Sequence, residues 1–135
     1  MPEPASVLFV CLHGSAKSVI AAEYFRRLAA VQARVVRAGS AGITPDAEIP
    51  PGVVAGLRND GFDVGDLRPA PLTSASVRDA NLIVSFGCDV ATASDWPAID
   101  VPVVRWDDVP AVSDGYDVAR TEIVRRVGLL LESLF

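Results

Sequence analysis

An α/β fold built on a parallel sheet is predicted by three features of this sequence. Short, strongly apolar runs recur along it, segments of helical period separate them, and Gly or Pro punctuates many of the junctions. With 135 residues, half of them hydrophobic, the chain is long enough for one core and too short for two, so one domain over residues 1–135 is expected.

The elements follow in order. Ser6–Val10 is apolar enough for a strand buried on both faces. Ser18–Gln32 reads as a helix, with Ile20, Tyr24, Leu28 and Val31 on one stripe and Ala21, Phe25 and Ala29 widening it. Val35–Ala38 is a second strand, ended by Gly39-Ser40-Ala41-Gly42. Pro45, Pro50 and Pro51 make Gly42–Pro51 a loop and then suit a helix N-terminus, so Gly52–Asp60 is predicted helical and stopped at Gly61. Gly65–Pro71 is another loop. Thr73 or Ser74 can cap a short helix reaching about Asp79. Leu82–Phe86 and Val101–Val104 are the third and fourth strands, and Val118–Leu134 is a long helix with Ile123, Val127, Leu130 and Leu134 on its apolar stripe. In such sheets ligands sit beyond the carboxyl ends of the strands. Cys11 falls at the end of the first.

Charge narrows the possible functions. The net charge is −5 and no basic run exists, which argues against nucleic acid or an anionic membrane as the main partner. Apolar stretches break off well short of a membrane span. The opening Met-Pro-Glu-Pro-Ala-Ser has neither the basic region nor the apolar stretch of a signal peptide, so a cytoplasmic protein is expected. Two cysteines, Cys11 and Cys88, in a reducing compartment make a structural disulfide the lesser reading. One histidine is too few ligands for a His/Cys metal site, and no metal or organic cofactor is implied.

The stretch Cys11-Leu-His-Gly-Ser-Ala-Lys-Ser18 between a strand and a helix carries the chemistry. A short loop of small residues around Gly14 can turn its backbone N–H groups onto one point, and the following helix adds its own N-terminal amides and the positive end of its dipole. The same field favours a thiolate nucleophile. Lys17 adds a charge, and the Ser18 hydroxyl is suited to hydrogen-bond the sulfur. Leu12, His13, Gly14, Ser15, Ala16, Lys17 and Ser18 are therefore the candidate oxyanion-binding residues, with Cys11 beneath them. A plainer reading makes Cys11 a small core residue after a buried strand.

The string Val7-Leu-Phe-Val-Cys-x-x-Gly-Ser-x-x-Ser18, running into Ala22-Glu23, resembles the low-molecular-weight protein tyrosine phosphatase superfamily, which includes the thioredoxin- and mycothiol-linked arsenate reductases. Ser40-Ala41-Gly42, Arg68-Pro69 with Pro71-Leu72-Thr73, and the last helix agree with it. Val84-Ser-Phe-Gly-Cys88 is similar to a segment of the arsenate reductases in particular. The resemblance implies a four-stranded parallel sheet with helices on both faces, and cysteine-dependent phosphatase or arsenate reductase activity.

Against that pattern Lys17 replaces the motif arginine, which keeps the charge and loses the bidentate fork. Gly14 replaces an asparagine held in a left-handed conformation, and glycine adopts that conformation without strain. His13, where the family has glycine, either contacts the anion or leaving group or points outward. The family's general acid is an Asp before a Pro ahead of the last helix. Here Val109 precedes Pro110, so Asp108 is the first candidate, with Asp107 and Asp114 as the others. Cys88 resembles the first of two further cysteines that resolve the reductase adduct. The second is missing from Asp89–Pro97, so a Cys11–Cys88 pair, an external low-molecular thiol or a redoxin would have to finish that cycle. No aromatic lies in Gly42–Gly52, which leans away from a dedicated tyrosine phosphatase, and Trp96 and Trp106 are assigned to the core or the rim. The alternative to an enzyme acting on a phosphate-like oxyanion or phosphoester is a degenerate member that binds the anion without turnover.

Overall fold

In the computed structural model, residues 5–88, 90 and 101–135 are described. Trp96 lies outside them. The strands β1 (Ala5–Cys11), β2 (Val36–Gly42), β3 (Leu82–Phe86) and β4 (Val103–Arg105) form one parallel sheet in the order β2-β1-β3-β4. The helices are α1 (Lys17–Val31), α2 (Pro51–Asn59), α3 (Ser74–Arg78) and α4 (Tyr116–Leu134), with a short 3₁₀ turn at Val112–Asp114 before the last.

β1 is an interior strand, paired along both edges, and both of its faces are packed. Val7, Phe9 and Cys11 point into a core shared with α1, α2 and α4, where Phe25, Leu57, Ile123 and Leu131 are fully buried. Leu8 and Val10 point to the other face, against Val77, Ala80 and Ile83. Helices thus cover both faces, with α3 on the second. The chain leaves β1 toward β2 on one side and pairs with β3 on the other. That strand-order reversal opens a crevice at the carboxyl end of β1, where open α/β sheets bind ligands.

Two stripes differ from the sequence reading. Val31 is 80% exposed, because the last turn of α1 runs past the core and the buried face is instead Ile20, Ala21, Phe25 and Ala29. On α4 the buried line is Ala119, Ile123, Val127 and Leu131, spaced by four, while Leu130 and Leu134 pack at its edge. Trp106 joins the core, edge-on to Phe86 at 5.5 Å between ring centroids. Thr73 is the N-cap of α3, in a reciprocal capping box with Ser76.

Candidate functional site

The loop after β1 is shaped by an unusually close approach to β2. Gly14 has φ +61°, the left-handed conformation expected there, and a Cβ built on it would stand 2.6 Å from the Gly42 nitrogen. A Cβ on Gly42 would reciprocally stand 2.5 Å from the Gly14 nitrogen, so only paired glycines let the two backbones meet. The amides of Thr44 and Asp46 donate to the Leu12 and His13 carbonyls at 2.8 and 3.0 Å, and Ile43 reaches the Cys11 carbonyl at 3.4 Å. A trans peptide directs its N–H opposite to its C=O. The amides of Leu12, His13 and Gly14 therefore face away from the β2 loop.

Cys11 is buried, and its Sγ lies 3.0 Å from the Ser18 Oγ, which is fully buried in the first turn of α1. Ala16 is the N-cap of α1, so among the described residues no side chain caps the first amides of this 15-residue helix. Over this loop lies a cleft of about 710 Å³, lined on the loop side by Cys11, Leu12, His13, Ser15, Ala16 and Lys17. Gly14 and Ser18 stand behind that lining. The opposite wall is Pro50, Gly52 and Val53 of the α2 start, then Ala111–Tyr116 with Asp114 among them.

The polar partners of the loop are specific. Lys17 Nζ donates to the Val109 carbonyl at 3.0 Å, tying the start of α1 to the segment that leads into α4. Ser15 Oγ donates to Asp46 Oδ2 at 2.7 Å, and His13 Nδ1 lies 3.3 Å from the Thr44 carbonyl and 3.5 Å from Asp46 Oδ1. His13 therefore lines the cleft while leaning on the β2 loop. Asp46 gives no sign of itself in the sequence, where it is one more acid after a proline.

The acidic candidates separate cleanly. Asp108 is not at the cleft: it is 81% exposed and pairs with Arg126 at 2.8 Å, and that guanidinium holds its carboxyl below the usual range. Asp107 pairs with Arg105 at 3.1 Å. Only Asp114 of the three lines the cleft, because the loop bends around the Val112–Asp114 turn before α4.

Cys88 makes no disulfide with Cys11, though its Sγ lies 3.8 Å from the carbonyl of Val10, the neighbour of Cys11 in the chain. The two side chains lie in cores on opposite faces of the sheet, and both thiols are free and buried. Cys88 Sγ sits 3.2 Å from the Ser85 hydroxyl, and burial pushes its thiol up. Among the described residues no cluster of His, Cys, Asp or Glu suits a metal ion, and no helix is long and apolar enough to cross a membrane.

The sequence model of the low molecular weight phosphotyrosine protein phosphatase family matches residues 6–93. Among solved structures, the thioredoxin-dependent arsenate reductase of Corynebacterium glutamicum is 28% identical over 98% of this chain, with a TM-score of 0.79; the chain spans 63% of that protein's length. An arsenate reductase of Archaeoglobus fulgidus is 27% identical over 93% of this chain and 98% of its own, with a TM-score of 0.68. A low molecular weight protein tyrosine phosphatase from Bacillus subtilis shares the fold, with a TM-score of 0.79 at 19% identity over 96% of each chain. No curated protein matches the sequence significantly.

Proposed function

The chain belongs to the low molecular weight phosphotyrosine protein phosphatase family, and we propose that it carries out cysteine-dependent chemistry on a phosphate-like oxyanion, with hydrolysis of a phosphomonoester as its reaction. The observation that carries this reading is the Cys11 sulfur, 3.0 Å from the buried Ser18 hydroxyl, at the foot of an open cleft where α1 begins without a side-chain cap.

In this reading the phosphoryl oxygens take hydrogen bonds from the loop amides and the first amides of α1, and Lys17 supplies a positive charge. Cys11 attacks phosphorus as the thiolate, stabilised by the Ser18 hydroxyl. The P–O bond to the ester breaks as Asp114 gives its proton to the leaving oxygen. Water then cleaves the S–P bond, passing its proton to Asp114 and releasing phosphate. Asp114 takes the role first given to Asp108, because it alone of the three acids faces the cleft.

Arsenate reduction would share the first step and then need a thiol at Cys11. Cys88 packs in the core cluster of the other face, its Sγ 3.8 Å from the Val10 carbonyl, so that branch would need a Cys11–Cys88 pair, an external low-molecular thiol or a redoxin. One observation favours a second reading, an oxyanion binder with little turnover: Lys17 spends its ammonium on the Val109 carbonyl, and a lysine cannot replace a bidentate fork.

Hydrolysis of p-nitrophenyl phosphate by wild type, Cys11→Ser and Lys17→Arg tests the proposal. Turnover by wild type that vanishes in Cys11→Ser supports it. Turnover only in Lys17→Arg supports the binder. Arsenite formed only when thiol is added would move the reaction to the reductase branch.

A further inference from the structure

Tyr116, the first residue of α4, forms part of the cleft wall two positions after Asp114. Both ends of its side chain rest on α2 and its C-terminal cap. The ring lies against Gly56, where an added Cβ would stand 2.6 Å from Cζ and 2.7 Å from Cδ1 and Cε1. The hydroxyl donates to Asp60 Oδ2 at 2.8 Å. Gly56 and Asp60 are four residues apart, one helical turn, so they offer a flat surface and an acceptor on the same side.

Asp60 is an odd residue to find there. A carboxylate at a helix C-terminus opposes the helix dipole, and its side chain is only 12% exposed. It is held by donors from two other helices: Tyr24 at 2.8 Å from α1, and Arg120 Nη1 at 2.9 and 2.8 Å from α4. Arg27 adds a hydrogen bond to its backbone carbonyl at 2.7 Å. Among the described residues none of these groups hydrogen-bonds to the anion loop.

We infer that Gly56 and Asp60 form a seat that positions Tyr116, and through it the Asp114–Gly115 turn, at the wall of the cleft. Asp60 is thus a positioning residue for the acid-bearing rim. The inference rests on Asp114 as the acid of the proposed phosphatase reaction.

The test compares wild type with Gly56→Ala and Tyr116→Phe on two esters. p-Nitrophenolate leaves without protonation, whereas the phenolate of phenyl phosphate needs the acid. Both variants should lose roughly tenfold or more in kcat/KM, which ends at departure of the leaving group, on phenyl phosphate and less than about threefold on p-nitrophenyl phosphate. Amide hydrogen exchange over residues 112–119 should rise in both, a readout that requires no turnover. Equal losses on the two esters, or unchanged exchange over that segment, would overturn the seat. A wild type that hydrolyses neither ester would overturn the phosphatase reading instead, and exchange alone would then decide the seat. Alanine at position 56 favours helix, so α2 itself is not put at risk by that variant.

Discussion

The Cys11 sulfur and the Ser18 oxygen meet at 3.0 Å across the junction of β1 and α1, and both side chains are buried. Water therefore does not compete for the sulfur on that side, and the serine proton is the donor a thiolate there would use. A hydrogen bond to a charged group contributes about 1.5–3 kcal/mol, so Ser18→Ala is expected to lower kcat on p-nitrophenyl phosphate by roughly 10–100-fold. Cys11→Ser should abolish it. Steady-state kinetics on the two variants, with thermal melts to show that both fold, checks this.

Lys17 joins two parts of the site, the loop it closes and the Val109 carbonyl at 3.0 Å. Inorganic phosphate at millimolar concentration is expected to raise the melting temperature of wild type and to leave that of Lys17→Ala unmoved, since a ligand that binds only the folded state stabilises it by mass action. Lys17→Arg should bind phosphate and increase kcat on the order of tenfold or more, because the planar fork holds two oxygens where the ammonium holds one. Differential scanning fluorimetry across a phosphate titration reads the first outcome, and ester hydrolysis the second.

What the sequence made legible was local. The strand-loop-helix of Ser6–Gln32, the left-handed Gly14 and the capping of α3 at Thr73 each depend on neighbours a few residues away, and the structure agrees with all three. Which turn of a helix meets the core depends on its partners, and so Val31 and Leu131 escaped the periodicity. The choice among Asp107, Asp108 and Asp114 turned on a loop path that no residue type encodes. Arg105 and Arg126 draw the first two aside, and the turn before α4 brings the third to the cleft. Asp46, Tyr116 and Asp60 were missed for the same reason: their partners lie 31 to 60 positions away in sequence.

The acid assignment separates by single substitutions. Asp114→Asn is expected to reduce kcat/KM on phenyl phosphate by about 100-fold, within the usual range for a lost general acid, and to affect kcat/KM on p-nitrophenyl phosphate far less, because kcat/KM ends at departure of the leaving group, before water attacks the S–P bond. Asp108→Asn, which removes only an exposed ion pair with Arg126, should leave both rates within about twofold of wild type. Reversal of these two outcomes would return the role to Asp108.

Asp60 links the fold to pH. Burial pushes its carboxyl up, but the hydrogen bonds from Tyr24, Tyr116 and Arg120, with the guanidinium charge of Arg120, outweigh that and hold it below its ordinary value of 3.8. A carboxyl whose folded value is depressed binds its proton less readily in the folded chain than in the unfolded one. Its contribution to stability is therefore complete above 3.8 and is lost as pH falls from there through the lower, folded value. Asp60→Asn keeps an acceptor for the tyrosine hydroxyls and removes the charge that Arg120 needs. At pH 7 it should destabilise the protein by about 1–3 kcal/mol, the loss expected for charge-assisted hydrogen bonds to a largely buried carboxylate. That deficit should shrink as both proteins are unfolded by urea at successively lower pH below 3.8, because protonation then removes the same charge from wild type. A deficit that stays constant down to the acid limit would mean that packing around residue 60, rather than its charge, holds the three helices together.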